Sequence, residues 1–159
     1  MATDEAAEFH CWYATDRDEA LRKGHFIYEK FRPYFRPGQV MELGCGEGAL
    51  LLWLIENGVL DVVGVDSNQE LCRLARSFGV AVVESDLLEF LPRERPRLGV
   101  YAYIDVIERV PFEYNIELLK LILVGSHLLL QTPYTQSVLG HQYYMNGPSH
   151  LAPYSPWVI

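Results

Sequence analysis

The chain has 159 residues, 13 of them basic and 21 acidic, for a formal net charge of −8. Half of the residues are apolar and 21% are charged, the composition of an ordinary globular domain that buries roughly two-thirds of its unfolded surface. The acidic balance excludes a nucleic-acid partner, which needs a basic face.

The first ten residues, MATDEAAEFH, lack a basic-then-apolar leader. The most apolar run, Leu118 to Leu130, is interrupted by Lys120, Gly125, Ser126 and His127 and is too short to span a bilayer. Cys11, Cys45 and Cys72 are odd in number and lack C-x-x-C spacing, so they read as reduced thiols rather than a disulfide framework or zinc site. A single cytoplasmic domain over residues 1–159 without a membrane partner is the expectation.

Residues 16–35 place Leu21, Phe26, Ile27, Phe31 and Phe35 at roughly helical spacing, and Arg36-Pro37-Gly38 ends the pattern. This segment forms an N-terminal helical cover over 1–37, in which Trp12, Tyr13 and Tyr28 are read as packing or lid residues. QVMEL (39–43) is a strand, followed by a helical GALLLWLIENG with Gly58 at its end. VVGVD (62–66) is a second strand ending in an acid. SNQELCRLARSFG follows as a helix capped by Ser67 or Asn68 and closed by Gly79. VAVVESD (80–86) is a third strand, and Leu87–Leu91 a short helical turn before Pro92. LGVYAYID (98–105), FEYNIELLKLIL and HLLLQTP then read as strand, helix and strand. Apolar strands alternating with helices describe an α/β protein with a parallel sheet covered on both faces.

From Leu121 to Ile159 no Asp, Glu, Lys or Arg occurs, while Tyr134, Tyr143, Tyr144, Tyr154 and Trp157 accumulate. Such a segment is either buried against the sheet or forms the aromatic wall of a substrate site; residues 134–159 are assigned to the substrate side.

The stretch VMELGCGEGALL (40–51) carries a strand through a glycine turn into a helix. Gly44-x-Gly46-x-x-Ala49 satisfies the relaxed dinucleotide fingerprint, with Asp66 as a ribose-binding acid. A pyrophosphate at that helix N-terminus would face Glu42 and Glu47, although Glu47 also has a plain reading as a helix-start acid. S-adenosylmethionine carries a sulfonium and an ammonium and no phosphate, which removes the conflict. Glycines at 44, 46 and 48 would admit it to the backbone. Asp66 would accept from the ribose hydroxyls and Asp86 from the adenine amino group. Cys45 reads as a small filler of the turn.

The series ELGCGEGALL, VGVDSN, ESDLL and YIDVIERVP, in that order over residues 38–133, resembles the motifs of class I S-adenosylmethionine-dependent methyltransferases. The resemblance implies a three-layer, Rossmann-like, doubly wound sheet with parallel strands in the order 3-2-1-4-5. It implies cofactor contacts from Glu42, Gly44, Cys45, Gly46, Gly48, Asp66, Ser67, Asp86 and Leu87, with Ile104 and Asp105 bordering the transferred methyl group. YMNGPSHLAPYSP resembles a segment of bacterial small-molecule methyltransferases associated with glycan gene clusters, with Gly147-Pro148-Ser149-His150 in the place of an aspartate-proline-threonine-histidine run.

Two departures stand out. Ubiquinone-pathway O-methyltransferases, which the chain also resembles, have a Glu-His pair linked to a metal where this chain has Glu108-Arg109. An arginine there favours an ion pair, so no metal is expected. The family's sheet also continues beyond the fifth strand through a C-terminal antiparallel hairpin, whereas this chain stops at Ile159. The expectation is a fragment or a naturally shortened form, or another chain, as in a homodimer, that covers the open edge.

Methyl transfer to a hydroxyl needs a base. His150 is the first candidate and His141 the second, both after the fifth strand; His127, at that strand's opposite end, is read as structural or exposed. The expected acceptor is a small molecule with a sugar or aromatic hydroxyl. The competing functions are a cofactor-binding but catalytically weak regulatory domain and, disfavoured by the acids at the turn, a nicotinamide-dependent oxidoreductase.

Overall fold

The computed structural model of the chain describes residues 13–35, 38–94, 99–122, 124–134 and 151. Along these residues run α1 (Arg17–Phe31), β1 (Gln39–Leu43), α2 (Ala49–Glu56), β2 (Val62–Asp66), α3 (Gln69–Ser77) and β3 (Val82–Glu84). They are followed by α4 (Leu87–Glu94), β4 (Gly99–Ile104), α5 (Phe112–Leu121) and β5 (His127–Gln131). Every strand pairs in parallel with its neighbour, in the order β3-β2-β1-β4-β5. This is the expected doubly wound sheet.

Side chains alternate across the strands with a period of two, and each face meets its own helices. Val40, Val62, Val100, Ala102, Ile104 and Leu129 share one core with Leu50, Leu51 and Leu54 of α2 and Ala75 of α3. Met41, Leu43, Val65, Tyr101 and Tyr103 share the other with Leu87, Phe90 and Leu91 of α4 and Leu118 of α5. Helix α1 lies on α2 at backbone contact: a Cβ on Gly24 would stand 2.1 Å from the Ala49 carbonyl oxygen. A mid-helix glycine costs about 0.5–1 kcal/mol against alanine, and here it permits that crossing.

Several boundaries differ from the sequence reading. Helix α4 runs through Pro92 to Glu94 instead of ending before the proline. Burial of Leu87, Phe90 and Leu91 anchors it, and a proline in the last turn removes a single backbone bond. Strand β3 is three residues long, Val82–Glu84, because Val80 donates its N–H to the Ala75 carbonyl at 3.1 Å and so belongs to the end of α3. Asn68, not Ser67, caps α3, its side chain accepting from Glu70 and Leu71 N–H at 3.0 and 3.1 Å. No helix among the described residues is long and apolar enough to cross a membrane.

Candidate functional site

After β3 the chain returns to the opposite side of β1, so the connections leaving β1 and β4 diverge and open a crevice at the strands' carboxyl ends. A cleft of about 460 Å³ lies there. Glu42, Gly44, Cys45, Gly46, Asp66, Ser67, Asp86, Leu87, Ile104 and Asp105 all line it, so β1, β2, β4 and the start of α4 bring together the residues singled out along the chain. Gly48 is set behind the cleft: it is the left-handed N-cap of α2, with φ 72°, and a Cβ there would press on Val80 and Ala75. Its part is to let α2 pack on the end of α3. His141, His150 and Trp12 lie outside the described residues, as does the Tyr28 side chain. His127 is exposed at the start of β5.

The turn is held from below. Gly44 and Cys45 donate their N–H groups to the Val65 carbonyl at 2.8 and 3.1 Å. Gly44, at φ 74°, sits where a Cβ would lie 2.6 Å from Val106 Cγ2, so only glycine fits between β1 and the loop after β4. Gly46 donates its N–H to Asp66 Oδ2 at 2.8 Å, while Asn68 N–H reaches Asp66 Oδ1 at the same distance. These two bonds aim the Asp66 carboxylate along the rim of the cleft. The Cys45 side chain is buried toward Gly64 of β2, where a Cβ would lie 2.5 Å from its Sγ. Burial pushes this thiol well above its usual range, which makes it a poor nucleophile and leaves it the role of filler.

The two acids of the turn differ. Glu47, almost wholly buried, accepts the N–H of Ala14 at 3.2 Å and pairs with Lys23 Nζ of α1 at 2.5 Å. It fastens the N-terminal segment over the turn and opens no helix, since α2 begins at Ala49. Glu42 is also buried, and its Oε2 has no hydrogen-bond partner among the described residues. Burial, then the neighbouring Glu47 carboxylate, holds the Glu42 carboxyl well above the usual range; Lys23 opposes this and Asp66 adds to it. A buried carboxylate oxygen without a partner is costly and is a ready receptor for a cationic donor.

Tyr13 and Lys23 also line the cleft. The Tyr13 ring lies against Gly46, and Lys23 Nζ is 5.3 Å from its centroid. Sequence reading passed over Lys23. The signal was present: Ala20, Lys23, Gly24 and Ile27 follow i, i+3, i+4, i+7 spacing, which puts a lysine on the inward stripe of α1.

At the other end of the cleft, Asp86 Oδ1 accepts from Leu88 N–H at 2.8 Å and Oδ2 from the Tyr114 hydroxyl at 3.0 Å. Burial and this bond to Asp86 push Tyr114 up to about 12. Tyr114 comes from α5, and nothing in its sequence neighbourhood pointed to Asp86. Asp105 occupies the left-handed region at φ 52°, uncommon outside glycine. Its N–H donates to the Gln131 carbonyl at 2.9 Å, its Oδ2 accepts from Gln131 Nε2 at 3.1 Å, and its carbonyl accepts from Arg109 Nε at 2.8 Å. Glu108 is fully buried in the 3-10 turn that follows, accepts from the Thr132 hydroxyl at 3.1 Å, and is raised mainly by burial. Arg109 Nε lies 3.7 Å from the Glu108 carboxylate. Leu151 N–H donates to the Glu108 carbonyl at 2.6 Å.

Five parallel strands in this order recur in solved proteins. The chain superposes on a SAM-dependent methyltransferase from Archaeoglobus fulgidus with a TM-score of 0.79 at 22% identity, covering 97% of this chain and 70% of that one. This is the fold of the S-adenosylmethionine-dependent methyltransferases. The methyltransferase domain of bacterial CtHen1-CN matches with a TM-score of 0.64 at 15% identity, over 89% of this chain and 79% of the other. The plantazolicin methyltransferase BpumL, solved in complex with SAH, gives 0.52 at 20% identity; 70% of this chain is covered, but the match spans only 44% of the BpumL chain. Residues 27–97 match the model of a family described as methionine biosynthesis protein MetW, a span of less than half the chain. No curated protein sequence matches.

Proposed function

We propose that the chain binds S-adenosylmethionine in the β1/β4 cleft and transfers its methyl group to a small molecule. The observation that carries the reading is Glu42, a buried carboxylate with an unsatisfied oxygen at the mouth of the glycine turn. A pyrophosphate would be repelled by it, whereas the ammonium of an S-adenosyl ligand would satisfy it. Asp66, aimed by two backbone donors, suits a ribose diol, and Asp86 suits the adenine amino group.

When bound, the cofactor supplies an electrophilic methyl group on a sulfonium. The chain's contribution is orientation, since an in-line displacement gains most from holding its two reactants in contact. Glu42 and Asp66 would grip the donor, and Ile104 or Asp105, which also line the cleft, would border the transferred methyl group. The acceptor is a sugar or aromatic hydroxyl in this reading, supported by the net charge of −8 and the uncharged, tyrosine-rich stretch after β5. His150 is the proposed base, with His141 second. In its support, the next residue, Leu151, is hydrogen-bonded to the Glu108 carbonyl beside Asp105.

Calorimetric titration with S-adenosylmethionine, S-adenosylhomocysteine and NAD tests the cofactor. Saturation at about 100 Kd should add about 2.7 kcal/mol, a rise of roughly 5–10 °C in melting temperature for a chain of this size. A response to NAD alone would overturn the reading. For the base, His150→Ala should leave S-adenosylhomocysteine affinity intact and cut turnover about 100-fold or more; undiminished turnover would remove His150 from the mechanism.

A further inference from the structure

Asp66 and Asp86 are each held at both carboxylate oxygens, but by different kinds of donor. Asp66 is held by two backbone N–H groups. Asp86 is held by one, from Leu88 at 2.8 Å, and by the Tyr114 hydroxyl of α5 at 3.0 Å. Asp86 is exposed and Tyr114 half-buried, and both line the cleft. An exposed aspartate otherwise exchanges freely among rotamers, so the phenol decides which way this carboxylate looks. Tyr114 is itself fixed through the residue that follows it. Asn115 is buried, accepts from the Tyr103 hydroxyl at 2.8 Å and donates to the Ile107 carbonyl at 2.9 Å. Those bonds fasten the start of α5 to β4 and to the turn after it.

Resting on the reading that Asp86 receives the adenine amino group, we infer that Tyr114 is a positioning residue that acts through Asp86 and makes the cleft select a 6-amino purine over a 6-oxo purine. A phenol has one proton, and here it is committed to Asp86. Burial, then this bond, holds the hydroxyl protonated up to about 12, so it stays a donor at any working pH. What the pair offers to a ligand is therefore acceptor capacity, from a carboxylate held at both oxygens. A 6-amino group is a donor and meets that demand. A 6-oxo group is an acceptor and would face the fixed carboxylate with nothing to share. Without the hydroxyl, Asp86 keeps only the Leu88 N–H, and can turn away from either ligand.

The test compares two ligands by calorimetry: S-adenosylhomocysteine and S-inosylhomocysteine, which differ only in a 6-amino against a 6-oxo purine. The unmodified chain should prefer the first by about tenfold or more. Tyr114→Phe keeps the ring and removes the hydroxyl. It should weaken S-adenosylhomocysteine about fivefold and change S-inosylhomocysteine less than about twofold, which narrows the preference. In an Asp86→Ala background the same substitution should leave the ratio of the two affinities unchanged, because the residue through which Tyr114 acts is gone. Three outcomes would overturn the inference while the cofactor reading stands: equal weakening of both ligands by Tyr114→Phe, tighter binding of S-adenosylhomocysteine by that variant, or the same narrowing with Asp86 absent. An unmodified chain that binds both ligands alike would remove Asp86 from adenine recognition and the inference with it. One that binds neither would overturn the cofactor reading as well.

Discussion

The two ends of the cleft are built by different means. At the glycine turn, the groups that matter come from one short connection and the strands beside it: Gly44, Cys45 and Gly46 hang on Val65 and Asp66, two strands that are adjacent in the sheet. At the tip of β4, Asp105 and Glu108 are tied to Gln131 at the end of β5 and Thr132 just beyond it, and to the N–H of Leu151. The first end is a backbone cradle with aimed carboxylates; the second is a set of side chains pinned by distant parts of the chain. A common donor with a variable acceptor would call for that division, because a backbone cradle changes little with side-chain substitution whereas a stitched surface changes readily.

The largest effect should come from the cradle. Asp66→Ala removes the acid at the end of β2 and orphans the Gly46 and Asn68 N–H groups that it now accepts. Titration should show a loss in S-adenosylhomocysteine affinity of about 100-fold, two charged hydrogen bonds at roughly 1.5 kcal/mol each. A change below threefold would mean that this end of the cleft does not grip a ribose.

Glu42→Gln sharpens the contrast through pH. The Glu42 carboxyl is raised in the folded protein, chiefly by burial, so folding disfavours its charged form. Below the ordinary glutamate range, about 4.3, it is protonated folded and unfolded and exerts no penalty. As pH climbs from there through its raised native value, the natural protein loses stability that the glutamine variant keeps. Scanning calorimetry from pH 4 to 8 should find the two alike at the acid end and the variant higher by about 3–8 °C at the other, taking 1–3 kcal/mol for the buried group. S-adenosylhomocysteine binding should weaken in the same variant, because its ammonium loses its acid. A melting difference independent of pH would contradict the assignment.

The smallest change is expected at the stitched end. Gln131→Leu removes the side-chain bond to Asp105 Oδ2 and should lower the melting temperature by about 2–4 °C, the value of one hydrogen bond. Donor affinity should stay within about twofold while turnover falls, since Asp105 is left less firmly held in its left-handed conformation. A loss of donor affinity comparable to that of Asp66→Ala would erase the distinction between the two ends.

Much of the first end was legible in the chain. A strand, three glycines and a helix in sequence are local signals, and an acid closing the next apolar strand follows from pattern alone. The roles of the two turn glutamates were not legible: residues 42 and 47 look alike in sequence, yet Glu47 is satisfied by Lys23 and Ala14 while Glu42 has an oxygen without a partner among the described residues. The partner lies on a helix that precedes the turn, and only packing brings it there. Likewise Tyr114 meets Asp86 because α4 and α5 lie on the same face of the sheet. The helix expected to stop before Pro92 ran through it because buried leucines outweighed one missing bond.

By itself, then, the sequence determined the alternation of strands and helices, the position of the glycine turn and the acids that end β2 and open α4, all of which rest on periodicity and on backbone conformations open to few residue types. Tertiary structure decided what each charge faces. Whether a carboxylate is paired, aimed or left with an unsatisfied oxygen depends on groups remote in the chain, because Coulomb and hydrogen-bond energies are set by distance and burial in space. Glu42 and Glu47, two of the acids at one turn, end with opposite fates for that reason.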